Sequence, residues 1–353
     1  MLLVIWALKQ KDISVKHTTK RLQHFKRGDA ISDTELGRII NDWLTSKSLE
    51  VSVTTMRGYR SKAKLIDKHF KTKGLTALKP RFVREFLEKL IRRGYSNKSV
   101  NEYLIVLRGV CGRLLEDEVI EQDPTRKFKN YRTASSEPDP FTQAEMLKIF
   151  SVHDATDSEM ALVKFGLFTG LRISELLALA WEDVDLEAGT LHVRRARVAG
   201  KLKTPKNRAS NRVLDLGEDA VEVLKSIKPV SAGQRMKRTY YVNLEDNRSE
   251  AKQRLRIVFL NSRTGGPIRN DGHFSRYFLK PLLKKAGVRY RSPNNCRHTF
   301  ASQMLTKGVP AAWIASYLGH SSEQMLYKHY AKIIPEDLKN LVEQMNHVFA
   351  FVA

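Results

Sequence analysis

The chain has 353 residues, 42% of them hydrophobic, and a formal net charge of +24 with a pI near 10.0. This apolar content excludes a fully disordered chain, and the length is enough for two globular domains and a small extra piece. So large a positive charge predicts a polyanionic partner, since contact with phosphates releases counterions. An anionic membrane surface is the rival partner, but no apolar stretch approaches the length of a spanning helix.

Cysteine usage favours a reducing compartment. The chain has only two cysteines, Cys111 and Cys296, and neither stands in a spacing such as CxxC. We therefore expect neither a disulfide framework nor a zinc site. The apolar opening at residues 1–8 is short and has no basic residue before it, so a secretory signal is not expected.

Residues 1–30 form a basic leader, in which seven lysines and arginines stand against two aspartates. Two interpretations are left open for it. It is either a partial arm that binds DNA or an unstructured, solvated tail.

From about residue 31 to 130, apolar residues recur at helical spacing, as in Val100, Tyr103, Leu104 and Leu107. This pattern predicts a small helical bundle that binds DNA through basic outer faces. A charged helix face is often only solvated, so these residues are candidates for phosphate contact. The candidates are Arg57, Arg60, Lys62, Lys64, Arg93 and Lys98.

A polar linker at 131–140 separates this bundle from a second domain, predicted at 141–346. Thr142 and Glu145 have the spacing of a capping box that begins a new helix. The pattern of the second domain is mainly helical with a small β-sheet insert, an α+β arrangement. We predict helices at 158–179, 299–307, 310–318 and 335–348, a strand at 191–198 paired with 212–216, and a further short strand at 255–260.

Three short segments of the second domain carry residues suited to phosphodiester chemistry. They are TGLR at 169–172, CRHTF at 296–300 and LGH at 318–320, followed by Tyr330. The transition state of phosphoryl transfer gains negative charge, which the planar fork of an arginine can hold at two oxygens. A tyrosine can attack in line, and the departing 5′ oxygen needs a proton.

These segments resemble the tyrosine recombinase (phage integrase) family, over about residues 31–345. The resemblance implies that Arg172 and Arg297 are the two catalytic arginines and that Glu175 orients their neighbours. His320 would brace the phosphate. The nucleophile should lie nine or ten residues beyond that histidine, which selects Tyr330 over the nearby Tyr327.

Three positions leave alternatives open. Many family members have a histidine three residues before the second arginine, where this chain has Asn294. An asparagine can donate a hydrogen bond but cannot exchange a proton near neutral pH. The resemblance also implies a lysine general acid in the hairpin turn, for which Lys206 matches best and Lys201 and Lys203 compete. We interpret His298 as structural, and the simplest alternative for Arg172 is a surface salt bridge to Glu175.

The resemblance therefore implies a site-specific integrase that works in the cytoplasm of a bacterial cell, as a homotetramer on paired double-stranded DNA attachment sites, through a Holliday junction. An accessory DNA-bending or directionality factor is a further expected partner. No phosphate-binding GxxxxGK[ST] loop or metal-binding carboxylate cluster is present in the sequence, so we expect no cofactor and no metal. The alternatives are a chromosome-dimer resolvase of the same family, a catalytically impaired DNA-binding protein, and a type IB topoisomerase.

Overall fold

A computed structural model describes most of the chain. The described residues are 31–71, 78–133, 138–152, 157–205, 210–246, 249–320, 322–324 and 326. The chain divides into two compact units, Met1–Ala134 and Ser135–Ala353. In the described residues, no helix combines the length and the apolar character needed to cross a bilayer.

The N-terminal unit is a helical bundle. Its helices are α1 Glu35–Glu50, α2 Val53–Phe70, α3 Pro80–Arg92 and α4 Asn97–Glu116. Thr34, Ser52 and Ser96 cap three of them, since each side chain accepts from the backbone N–H three residues later. Their apolar faces form one core, in which Phe86 contacts the rings of Phe70 and Tyr103. The predicted helical bundle is confirmed.

The C-terminal unit is mostly helical. Its helices are α5 Gln143–Phe150, α6 Asp157–Thr169, α7 Ile173–Leu176, α8 Glu218–Ser231, α9 Asp271–Phe274, α10 Lys280–Lys285, α11 Asn295–Thr306 and α12 Ala311–Leu318. A π-helical turn, Ser275–Leu279, joins α9 to α10. The predicted capping box of Thr142 and Glu145 opens α5. Helix α6 is apolar on nearly all sides because it packs against both α8 and α11 in the centre of the unit.

Two small sheets complete this unit. Their strands are β1 Val184–Asp185, β2 Thr190–Val193, β3 Ala196–Val198, β4 Lys201–Lys203, β5 Arg212–Asp215, β6 Arg238–Asn243 and β7 Glu250–Leu255. One sheet has the order β1-β2-β5 and the other β3-β4-β6-β7. Neighbouring strands are antiparallel except β4 and β6, which run parallel. The α+β class is confirmed.

The helix predicted at 299–307 begins earlier, at Asn295, and three other predicted elements were wrong in extent. The helix predicted at 158–179 ends at Thr169, because Gly170 takes a left-handed φ of 62° and only the short α7 follows. The strand predicted at 191–198 is two strands in different sheets. Between the two strands, Arg194 and Arg195 are paired in neither sheet. Both side chains form ion pairs with the buried Asp183.

The third correction concerns the strand predicted at 255–260. Regular pairing ends at Leu255, and beyond it Ile257 and Leu260 form only isolated bridges. The hairpin of β6 and β7 was not predicted. The pairing of β2 with β5 was predicted and is confirmed, with Leu191 opposite Leu214.

Candidate active site

Helix α12 ends in a backbone motif that fixes the position of His320. Gly319 has φ 70° and ψ 45°, a left-handed conformation that glycine adopts without strain. The N–H of Gly319 donates to the carbonyl of Ser316 at 3.0 Å, and the N–H of His320 donates to the carbonyl of Ala315 at 2.9 Å. This pair of bonds is the Schellman motif. His320 is therefore held one residue beyond the glycine that ends the helix.

The next three carbonyls, at residues 317–319, each accept a hydrogen bond from a different arginine. Arg212 Nε lies 2.6 Å from the first oxygen, Arg297 Nη2 lies 2.8 Å from the second, and Arg172 Nη2 lies 3.4 Å from the third. The carbonyls at a helix C-terminus lack partners within the helix and form its negative end, so guanidinium groups are favourable there. Three sequence segments are thus brought together at one helix end.

Gly170 connects the two arginine motifs. Its carbonyl accepts from Arg297 Nη1 at 3.1 Å, and the chain turns there so that Arg172 precedes α7. A Cβ atom on Gly170 would lie 2.6 Å from side-chain carbons of both Phe300 and Leu318. Only glycine fits here, because both the backbone conformation and the surrounding space exclude a side chain.

Glu175 is the buried counter-charge of this cluster, with its side chain 5% exposed. Its carboxylate lies 2.8 Å from Arg172 Nη1 and 3.3 Å from Arg212 Nη2, and it also accepts from the backbone N–H of Arg172 at 3.1 Å. Burial by itself raises the pKa of Glu175, but the charges of Arg212, Arg172 and Arg297 outweigh it and lower the pKa below 4.5. Glu175 is therefore ionised at neutral pH.

The predicted alternative of a simple surface salt bridge does not describe Arg172. The ion pair with Glu175 exists, but its acidic partner is buried and shared with Arg212. The side chain of Arg172 is 36% exposed, whereas Arg297 is buried at 5%. Arg172 is thus the arginine of this cluster that solvent reaches most easily.

Asn294 lies beside the first arginine motif. It is exposed, and its Oδ1 accepts from the backbone N–H of Ile173 at 3.4 Å. Asn294, the position at which many family members have a histidine, therefore contacts the first residue of α7, which directly follows Arg172. His298, on α11, is half-buried.

The lysine candidates are only partly described. Lys201 and Lys203 lie on β4, and the segment after them is anchored because the N–H of Thr204 donates to the carbonyl of Asn243 on β6 at 2.9 Å. Outside the described residues are Lys206, Tyr327, Tyr330, the basic leader at 1–30 and the helix predicted at 335–348.

The cationic candidates of the N-terminal unit differ in their surroundings. Arg57, Arg93 and Lys98 are exposed, while Arg60 and Lys64 are half-buried. Burial lowers the pKa of Arg60 below its ordinary value. Lys62 forms a 2.7 Å ion pair with Glu102, so its charge is partly compensated within the unit. Exposure therefore favours the first three as phosphate contacts.

Sequence reasoning did not assign a role to Arg212, which it treated only as the arginine that ends the hairpin-turn pattern and begins a strand. Its signal was weak, because the alternating pattern of residues 212–216 explains an arginine on an exposed strand face equally well. In the described part of the chain, no group of three or more His, Cys, Asp or Glu side chains is placed to hold a metal ion.

Comparisons with known proteins give matches in both units of the chain. Residues 141–336 match the phage integrase family, and residues 44–116 match the N-terminal SAM-like domain of phage integrases. Prophage integrase IntR of Escherichia coli K12 is 31% identical over 260 residues, which cover 72% of this chain and 62% of IntR. Tyrosine recombinase XerA of Thermococcus onnurineus NA1 is 31% identical over 270 residues, 76% of this chain and 82% of XerA.

Solved structures show the same fold at lower identity. The Tn1549 transposon integrase in complex with a circular intermediate DNA has a TM-score of 0.68 and 18% identity, covering 89% of this chain and 100% of that one. A lambda integrase tetramer bound to a Holliday junction has a TM-score of 0.64 and 17% identity, covering 87% and 81%. Since the catalytic family model spans more than half of the sequence, this chain belongs to the phage integrase family of tyrosine recombinases.

Proposed function

We propose that this protein cleaves and rejoins DNA at specific sites through a 3′-phosphotyrosyl intermediate, for the integration or excision of a phage or mobile element. The observation that supports this most strongly is the convergence of Arg172 and Arg297 on the end of α12, directly before His320. Two guanidinium groups and an imidazole at one place suit a phosphate whose charge grows in the transition state.

In this proposal the scissile phosphate is held by Arg172, Arg297 and His320, and Glu175 keeps the arginines in place. Arg172 supplies the accessible fork, because a third of its side chain is open to solvent. Asn294 supplies an amide donor, since its Oδ1 already accepts from the backbone of α7 and its Nδ2 can donate to a phosphate oxygen.

The covalent step joins the Tyr330 oxygen to phosphorus and breaks the bond from phosphorus to the 5′ oxygen. The leaving oxygen takes a proton from Lys206 and becomes a free 5′ hydroxyl. The proton of the tyrosine passes to water or to another group, because the amide of Asn294 cannot accept it. Rejoining is the reverse step with a new 5′ hydroxyl, and the phosphotyrosyl bond conserves the energy that it needs.

DNA binding and catalysis are assigned in this proposal to different parts of the chain. Residues 31–130 form the core-binding domain, residues 131–140 the linker and residues 141–346 the catalytic domain. Arg57, Arg93 and Lys98 are the exposed candidates for phosphate contact in the core-binding domain, with Arg60, Lys62 and Lys64 beside them. The tetramer of lambda integrase on a Holliday junction supports a homotetramer on paired DNA sites as the working form.

The test is a search for a covalent adduct. The full chain is incubated with a library of random-sequence nicked suicide duplexes, in which cleavage releases a short fragment and traps the protein. DNA that stays linked after denaturation is sequenced, and an enriched duplex becomes the standard substrate. We expect an adduct on a defined sequence from wild type and from Tyr327→Phe, and none from Tyr330→Phe.

Other outcomes would select other functions. An adduct that survives Tyr330→Phe refutes this nucleophile, and adducts without sequence preference indicate a topoisomerase. No wild-type adduct, together with tight DNA binding, indicates an impaired binding protein. Asn294→His should preserve or raise the cleavage rate if the asparagine only contacts phosphate.

A further inference from the structure

Arg212 makes contacts unlike those of an ordinary strand residue. It begins β5, yet its side chain is only 9% exposed. Its guanidinium donates from Nε to the carbonyl of Tyr317 at 2.6 Å, from Nη1 to the carbonyl of Ser210 at 3.2 Å, and from Nη2 to Glu175 Oε2 at 3.3 Å. One side chain therefore connects the end of α12, the loop before β5 and the acidic residue of α7.

The geometry of these bonds requires an arginine. The guanidinium is rigid and planar, so donors that point in different directions keep fixed relative positions. A lysine has one ammonium on a flexible stem and cannot reach three separate acceptors in this way. A buried cation is costly unless its donors are satisfied, and here each of the three nitrogens has an acceptor.

Arg212 contacts the partner of one residue that the proposed reaction uses, Arg172, and the helix end that precedes another, His320. It engages Oε2 of Glu175, which leaves Oε1 for Arg172 Nη1 at 2.8 Å. It also holds the carbonyl of residue 317, three residues before His320. Of the charges that lower the pKa of Glu175, that of Arg212 has the largest effect.

The exposed fractions distinguish Arg212 from Arg172, the arginine of this cluster that solvent reaches most easily. Its side chain is four times less exposed than that of Arg172, at 9% against 36%. Burial alone does not exclude a phosphate contact, since Arg297 is 5% exposed, but all three guanidinium nitrogens of Arg212 already donate to protein oxygens.

We propose that Arg212 is a positioning residue for strand cleavage, which holds Glu175 and the end of α12 so that Arg172 and His320 are set for the scissile phosphate before DNA arrives. The inference rests on the proposed function, and it adds a residue whose action on the phosphate is indirect.

The experiment compares Arg212→Gln with Val213→Ala, a control at the next position of the same strand, where the side chain is 62% exposed. Single-turnover adduct formation is measured on the nicked duplex enriched from the library, and DNA affinity is measured in parallel. Misplacing catalytic groups by about 1 Å costs about 10²-fold in rate, so we expect Arg212→Gln to cleave about 10²-fold more slowly. Its DNA affinity and the rate of Val213→Ala should stay close to wild type.

A second substrate distinguishes positioning of the phosphate clamp from an effect on the leaving group. In it, sulfur replaces the bridging 5′ oxygen, and a thiolate departs without protonation because its conjugate acid is far stronger than an alcohol. We expect this substrate to restore cleavage by Lys206→Ala and to leave Arg212→Gln slow. Restored cleavage by Arg212→Gln would overturn the inference, since the defect would then lie in proton delivery.

The remaining outcomes are also decisive. Cleavage by Arg212→Gln at the wild-type rate overturns the inference alone, whereas no wild-type adduct on any duplex overturns the proposed function with it. If thermal unfolding shows that Arg212→Gln does not fold, Arg212→Lys replaces it. That variant keeps the charge without the fork, so it should fold and cleave slowly on both substrates, and wild-type rates would refute the proposal.

Discussion

Replacing Gly170 by alanine tests whether the site depends on the close approach of α7, α11 and α12. Two costs apply. Gly170 has φ 62°, and a left-handed conformation costs an alanine about 1–2 kcal/mol. The new Cβ would also lie 2.6 Å from carbons of Phe300 and Leu318, and overpacking of this kind costs about 1–3 kcal/mol. Together they predict a loss of about 2–5 kcal/mol of unfolding free energy.

Gly287 is the matched control, in the same unit. It has φ 65°, and a Cβ there would meet nothing within 4 Å. Gly287→Ala should therefore carry only the conformational cost of about 1–2 kcal/mol. The difference between the two variants isolates the steric term.

Differential scanning calorimetry of the full chain measures both changes. For a unit of this size, 1 kcal/mol shifts Tm by about 2–4 °C, so Gly170→Ala should melt about 2–12 °C below Gly287→Ala. Both substitutions lie in the C-terminal unit and should shift the same transition. Equal shifts would falsify the reasoning, because the close contacts at Gly170 would then cost nothing.

Three further predictions follow from the described side chains. Burial raises the pKa of both Cys111 and Cys296 to about 12, so a thiol reagent at pH 8 should label neither cysteine in the native protein and both after denaturation. Thr142→Ala removes the cap of α5 and should cost about 1 kcal/mol of unfolding free energy in urea, whereas no measurable loss would show that the capping box contributes nothing. The pKa of Glu175 is lowered on folding, so the stability that its ionisation contributes is present above its ordinary pKa of 4.5 and is lost as the pH falls through the lowered value. The stability difference between wild type and Glu175→Gln should therefore shrink below about pH 4.5, and a difference that grows on acidification would contradict this assignment.

Helical periodicity predicted most of the helices because an amphipathic helix repeats its apolar positions locally. It gave no stop signal inside 158–179, since apolar residues continue through the break at Gly170. Alternation likewise continued through Arg194 and Arg195, although the chain changes sheets there. In both cases a distant partner decides the conformation: Phe300 and Leu318 for the glycine, and Asp183 for the arginines.

By itself, the sequence determined the family, the fold class and the segments that carry the candidate site, because these depend on motifs and patterns formed by residues close together in the chain. Only the tertiary structure decided that Arg172, Arg212 and Arg297 meet on three successive carbonyls of one helix end. Those carbonyls can accept from side chains only because α12 ends at Gly319, so that no later turn of the helix donates to them. Arg212 could not be selected from the sequence, since burial and a shared carboxylate, rather than its strand position, distinguish it from the many other basic residues of this chain.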